Sequence, residues 1–200
     1  MIGIRKTGDW AAAINGVGRA AKTFRRRAEK AVHQEAQHLR MLTVQGLTRQ
    51  APGGASIRPL AKLTLATRQL RGFGGTKALI HRGDLRNSLR AVLREDSAWV
   101  GVLRQAKAKE GRSLVDVAKV QEFGLAPVVV KLTPRMRWYL MALLRAAGVR
   151  RKPRALRPGP GYIIVTIPPR PFLRPAWEQF QRGLKERFAK RLGGIQGDAI

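Results

Sequence analysis

The segment Ile167–Trp177, IPPRPFLRPAW, carries four prolines, two arginines, a phenylalanine and a tryptophan, and it follows directly on YIIVTI (162–167), the most strand-like run of the chain. Pro168, Pro169, Pro171 and Pro175 each fix φ and remove a backbone donor. The chain therefore leaves the strand in one preset, extended direction, with little entropy left to lose. Phe172 and Leu173 are then delivered to a set pocket, Arg170 and Arg174 flank them, and Trp177 opens a terminal helix against the core. Two readings stay open for this joint: it docks its own helix, or it contacts a neighbouring subunit. Phe and Trp anchor cores and interfaces alike.

Downstream of Pro175, apolar residues at Trp177, Phe180, Leu184 and Phe188 form one stripe, with Arg182, Lys185, Arg187, Lys190 and Arg191 beside it, which predicts a final basic amphipathic helix. The last residues, 193–200, read as a loose tail. Upstream of the strand, RRKPRALR (150–157) is a basic loop that ends in a Pro-Gly-Pro-Gly turn. Before it, Thr133-Pro134 supplies an N-cap and a first-turn proline for a helix carrying Met136, Leu140, Leu143 and Leu144. VDVAKVQEFG (115–124) has helical spacing and is closed by Gly124 in a left-handed conformation.

Further upstream, SLRAVLRE (88–95) and SAWVGVLR (97–104) alternate apolar and polar residues and meet at Asp96-Ser97, the pattern of a β-hairpin with Glu95 and Asp96 at its turn. Residues 55–83 contain no acid and read as a basic loop or arm with a short helix around Leu60–Leu70, mobile in the free protein and ordered by a neighbour. The chain begins with a long amphipathic helix. It is capped by Asp9, striped by Trp10, Ile14, Val17, Ala21, Phe24, Ala28 and Val32, and ended by Ala51-Pro52-Gly53-Gly54. The order helix, hairpin, helix, helix, strand, helix predicts a single α+β domain over 1–200, with a small, mostly antiparallel sheet and basic loops or arms.

The composition of 200 residues, 44% of them hydrophobic, suffices for one domain with a core. With 40 Lys and Arg against 12 Asp and Glu, the formal charge of +28 demands a polyanion or an acidic protein as neighbour. Cysteine is absent, so disulfides and thiolate metal sites are excluded, and a reducing cytoplasm suits the chain. MIGIRKTGDW (1–10) has no apolar core of a signal peptide, and no run reaches the ~18 apolar residues of a membrane span, so a soluble protein is expected.

Catalysis has little to stand on. His33 and His38 are five apart, off the spacing that puts two imidazoles on one metal, and solvated or core-edge roles suit them and His81 better. RGFGGTK (71–77) lacks the spacer and ending of a phosphate-binding P-loop, and a flexible loop is the plainer reading. Asp84, Glu95, Asp96 and Glu122 fall in different elements; Glu122 reads as a helix-end partner for a Lys or Arg. Neither an enzyme nor a cofactor is expected. No acid occurs between Glu122 and Glu178, and Arg150, Arg151, Lys152, Arg154 and Arg157 are the residues expected nearest to DNA. No sequence-reading motif accompanies them, so any such contact would be nonspecific.

Three motifs in order, RGDLRNSL (82–89), KVQEFG (119–124) and IPPRPFLRPAW (167–177), resemble tail-completion or neck proteins of tailed phages. In that family a G-x-L-x-x-S segment opens a strand, "EFG" or "QFG" follows the hairpin, and "IPARPFL" precedes the last helix. LTPRMRWYLMALL (132–144) is similar to a helix of family members that starts "LTPKMR". The resemblance implies a structural virion protein, assembled in the host cytoplasm, that completes the tail or joins it to the head connector. Its implied partners are copies of itself in a ring, a connector or stopper protein, and tail terminator or tail tube proteins, with packaged DNA adjacent and no membrane. It makes Leu85, Phe123, Arg170, Phe172, Leu173 and Trp177 the docking or interface candidates. The competing class is a nonspecific nucleic-acid-binding protein acting alone.

Overall fold

The computed structural model describes residues 8–94, 97–148 and 161–193. Its first element, α1 (Trp10–Arg49), is a single helix of 40 residues, about 60 Å long at 1.5 Å per residue. The Asp9 carboxylate accepts the Ala12 N–H at 2.9 Å and so caps its start. Its end is set by Gln50, in the left-handed region at φ 60°, followed by a short 3-10 turn, Pro52–Gly54.

That turn is a bracket. Gly53 has φ +63°, and a Cβ there would lie 2.5 Å from the carbonyl oxygen of Pro175, so only glycine lets the turn seat against the C-terminal joint.

After it come α2 (Lys62–Leu70), the one-turn α3 (Asp84–Asn87), and the hairpin β1 (Leu89–Arg94) with β2 (Ser97–Val102), paired Leu89 to Val102 through Arg94 to Ser97. Helix α4 (Leu114–Phe123) is capped by the Ser113 hydroxyl, which accepts the Asp116 N–H. Strand β3 (Leu125–Leu132), helix α5 (Pro134–Ala146) and strand β4 (Gly161–Ile167) form an excursion in which β3 and β4 pair antiparallel. Helices α6 (Leu173–Gln181) and α7 (Leu184–Leu192) complete the described chain.

The core lies where the second half of α1, the base of the hairpin, α4 and the joint before α6 meet. Leu47, Leu85, Leu89, Val102, Leu114, Ala118 and Phe172 pack there, with Val44, Leu79, Val115 and Leu173 around them. The buried alanines Ala31, Ala36 and Ala176 and the ring of Phe180 carry the contact on along α1, where small side chains let α6 approach closely.

The fold is α+β, and four details depart from the sequence expectations. Among the described residues the single small sheet is two separate two-stranded ribbons, because LAPVVVKL (125–132) is a strand that pairs there with β4 and not with the hairpin. The final helix is two helices, broken at Gly183 with φ +71°. Gly124 has φ +81° but an extended ψ of 179°, so it redirects the chain instead of closing a helical turn. Residues 55–83 are stitched to the body by their own chain: Arg68 Nη1 donates to the carbonyls of Gly75, Lys77 and Ile80, Gln50 Nε2 to Ala78, and Lys77 Nζ to Thr48. Ile57, Ala66 and Ala78 of this segment are buried within the same chain. The hairpin turn at Glu95 and Asp96, the loop 150–157 and the tail from 194 lie outside the described residues.

Candidate interaction surfaces

Helix α6 has no side-chain cap of its own. A helix start leaves several N–H groups without partners, and here Glu122, the penultimate residue of α4, meets them. Its carboxylate accepts the N–H groups of Phe172 (2.8 Å), Leu173 (3.1 Å) and Arg174 (2.9 Å). Its partner is thus a helix N-terminus, not the Lys or Arg side chain expected from sequence; negative charge is favoured at that end of a helix. One residue away, the Arg170 N–H donates to the Gln121 carbonyl, and the Arg170 guanidinium donates to the carbonyls of Arg58 and Pro59. Gly124 lies against the same joint: a Cβ there would sit 2.9 Å from the carbonyl oxygen of Ile167.

Phe172 is fully buried against Leu85, Leu89 and Ala118, so the docking of Phe172 and Leu85 is internal and neither has surface left for another subunit. Leu173 is half-buried at the edge of the same cluster. Two candidates face outward instead: Phe123 is 79% exposed, and Trp177, stacked at 5.4 Å on Phe180, is 43% exposed. Sequence patterns alone could not divide core from surface here, because Phe123 and Phe172 sit in equally apolar local settings.

Much larger apolar surfaces stand outside the core. From Trp10 to Lys30 no residue of α1 is buried, and Trp10, Ile14, Val17 and Phe24 point a hydrophobic stripe at solvent. Neither β3 nor β4 has a buried residue, and Val128, Val129, Tyr162, Ile164 and Val165 are exposed. On α5, Trp138 and Tyr139 are exposed, while Leu143 is buried and the helix rests on α2 and β3. The body also offers concavity. Two apolar grooves, of about 580 and 530 Å³, share Leu39, Val100 and Trp177; the first runs between α1, β2, α6 and α7, and the second between β2, α4 and α6.

The one buried acid of α1 works inside the fold. Glu35 pairs with Arg187 (3.0 Å) and Arg191 (2.8 Å) of α7, with the His38 ring 3.7 Å away. Among the described residues no three His, Asp or Glu side chains group as metal ligands would, and no helix is long and apolar enough to cross a membrane. Arg150, Arg151, Lys152, Arg154 and Arg157, the DNA-proximal candidates, lie outside the described residues.

Comparison with protein-family models, with curated proteins and with solved structures finds no match to this chain.

Proposed function

We propose that the chain is a structural subunit of a tailed-phage virion that completes the tail or joins it to the head connector, working as a member of a ring. The observation that carries this reading is the apolar surface on elements standing away from the core: the first half of α1 and the β3–α5–β4 excursion. Contiguous apolar patches of this kind mark surfaces covered by another protein. The occupant proposed is a second copy. One chain carries both a protruding apolar helix and apolar grooves, and such unlike surfaces associate head to tail, which closes into a ring when the rotation permits.

The convergence of the three family-like motifs supports the same reading. Leu85 of the first packs with Phe172 of the third, and Glu122 and Gly124 of the second contact the third directly. The charge of +28 suits a subunit beside packaged DNA. A lone nucleic-acid-binding protein would share that charge but has no use for the apolar faces.

The test pairs two measurements. Native mass spectrometry of purified protein, with a Trp138→Ser/Ile164→Ser variant beside it, reads the ring; both side chains are exposed, so the variant should melt within about 0.5 kcal/mol of wild type yet lose the oligomer. Micrographs of particles made without the protein read the role, with unjoined heads and tails or tails of aberrant length expected. A strictly monomeric protein that binds free duplex DNA tightly would replace this reading with the lone-binder one.

A further inference from the structure

Beneath the stitched segment 55–83 lies a pocket of about 390 Å³ whose walls come from α2, α3, α4, the Glu110–Arg112 turn and the C-terminal joint. Arg68, Arg82, Arg112 and Arg170 line it, and Asp84 and Glu110 are its acids. Glu110 is already engaged by Arg82 (3.4 Å) and Arg112 (3.7 Å).

Arg68 is only 9% exposed, and none of its guanidinium nitrogens has a carboxylate within salt-bridge distance among the described residues. Nη1 serves three carbonyls, while Nε and Nη2 have no protein acceptor among the described residues. The guanidinium is balanced by carbonyl dipoles and by the water that reaches Nε and Nη2, and its low exposure penalises a charge without a counter-ion. An anion in the pocket would remove that cost.

We propose that this pocket binds a phosphate group bearing an ionisable proton, as inorganic phosphate or as a terminal phosphomonoester. Guanidiniums match phosphate oxygens two at a time, and Nε and Nη2 of Arg68 are the pair left without a protein acceptor among the described residues. Asp84 decides the kind of anion: a carboxylate on the wall repels a fully deprotonated oxyanion but accepts a hydrogen bond from a P–OH. Near neutral pH inorganic phosphate carries such a proton and a monoester, with a second pKa of about 6, can take one up, whereas sulfate and internal phosphodiesters cannot and are disfavoured. The site stands independently of the assembly reading.

His81, on the pocket wall, is a built-in reporter. Loss of water where its ring packs on Phe73 at 4.1 Å, and the charges of Arg68, Arg82 and Arg71, hold its pKa below the ordinary value, with Glu110 opposing. A bound phosphate reverses that field. His33 and His38 on α1 do not line the pocket and serve as controls in the same sample.

The experiment is an NMR titration of the histidine rings of the full chain at constant ionic strength, with inorganic phosphate, sulfate, a nucleoside 5′-monophosphate and a short unphosphorylated duplex. Phosphate should shift His81 to saturation and raise its pKa toward the ordinary value near 6.5, leaving His33 and His38 in place. A tighter response to the monophosphate than to inorganic phosphate identifies an attached phosphomonoester as ligand, and the reverse order identifies the free ion. Asp84→Asn should let sulfate act like phosphate. Arg68→Gln should abolish the response, but it also removes the loop's carbonyl bonds. Thr64→Glu, at an exposed position of the pocket rim, therefore supplies a competing carboxylate without touching them, and should lose the phosphate response while the other histidines stay unchanged. Equal responses to sulfate and phosphate in the wild type, or an undiminished response in Thr64→Glu, would overturn the proposal.

Discussion

Glu122 accepts the backbone N–H of Phe172 at 2.8 Å across fifty residues of sequence, and with it the next two N–H groups of α6. One carboxylate thereby joins the last turn of α4 to the start of α6 and to the entry of the core phenylalanine. Glu122→Ala should cost about 1.5 to 3 kcal/mol, the range for hydrogen bonds to a charged group. Glu178, paired with Arg174 on an exposed helical turn, should lose less than about 1 kcal/mol on the same change. Urea denaturation of the two variants checks the order; equal losses would show that the cap contributes nothing special.

Phe172→Ala empties the centre of the core and should destabilise by about 3 to 5 kcal/mol, a large part of the stability of a marginal domain. Phe123→Ser, at a side chain facing solvent, should change the melting temperature little and act on assembly instead. Calorimetry of both, with oligomer mass measured in parallel, separates the internal aromatic from the external one.

Glu35→Gln removes the one carboxylate that, among the described residues, ties α7 to α1, and leaves Arg187 and Arg191 against a neutral side chain. Both arginines keep nearly a third of their surface in water, so the loss belongs at the low end of the roughly 3 to 5 kcal/mol seen when buried pairs are broken. Hydrogen exchange should rise first at the amides of Leu184–Leu192. Unchanged protection there would mean that apolar packing alone holds α7.

The depressed pKa of His81 sets one component of the pH dependence. The folded state resists protonating this ring, so its penalty is absent above the unfolded value near 6.5 and grows as pH falls through that value, levelling off below the folded pKa. Stability compared at pH 7.5 and 5.5 should fall more in the wild type than in His81→Gln. Identical falls would remove His81 from the account.

Much of the architecture was legible because its signals are local. Asp9, Thr133 with Pro134, and the alternation across Leu89–Val102 each act within a few residues. Strand β3 was not legible: Val128–Val130 do not alternate, and Pro127 argues against a strand, yet it falls at the irregularity of register between Leu125 and Val128, where no ladder bond is needed. The break between α6 and α7 hid for the opposite reason, since the stripe Trp177, Phe180, Leu184, Phe188 keeps its period across Gly183. Of the interaction surfaces, the stripe on α1 showed in the sequence, but its exposure did not, because periodicity shows that a face is apolar and not what covers it. The capping role of Glu122 left no local trace, and neither did the uncompensated charge of Arg68; both depend on partners brought together only by folding.

The close approach of Gly124 to Ile167 pinches the excursion at its base. Strand β3 begins and strand β4 ends at one point, so the excursion is topologically a cassette set into a through-running fold. The path from α4 to the joint can close across that point at almost any intervening length. A longer or shorter excursion should therefore leave the Phe172 core in register, provided that the seat of α5 on α2 is kept.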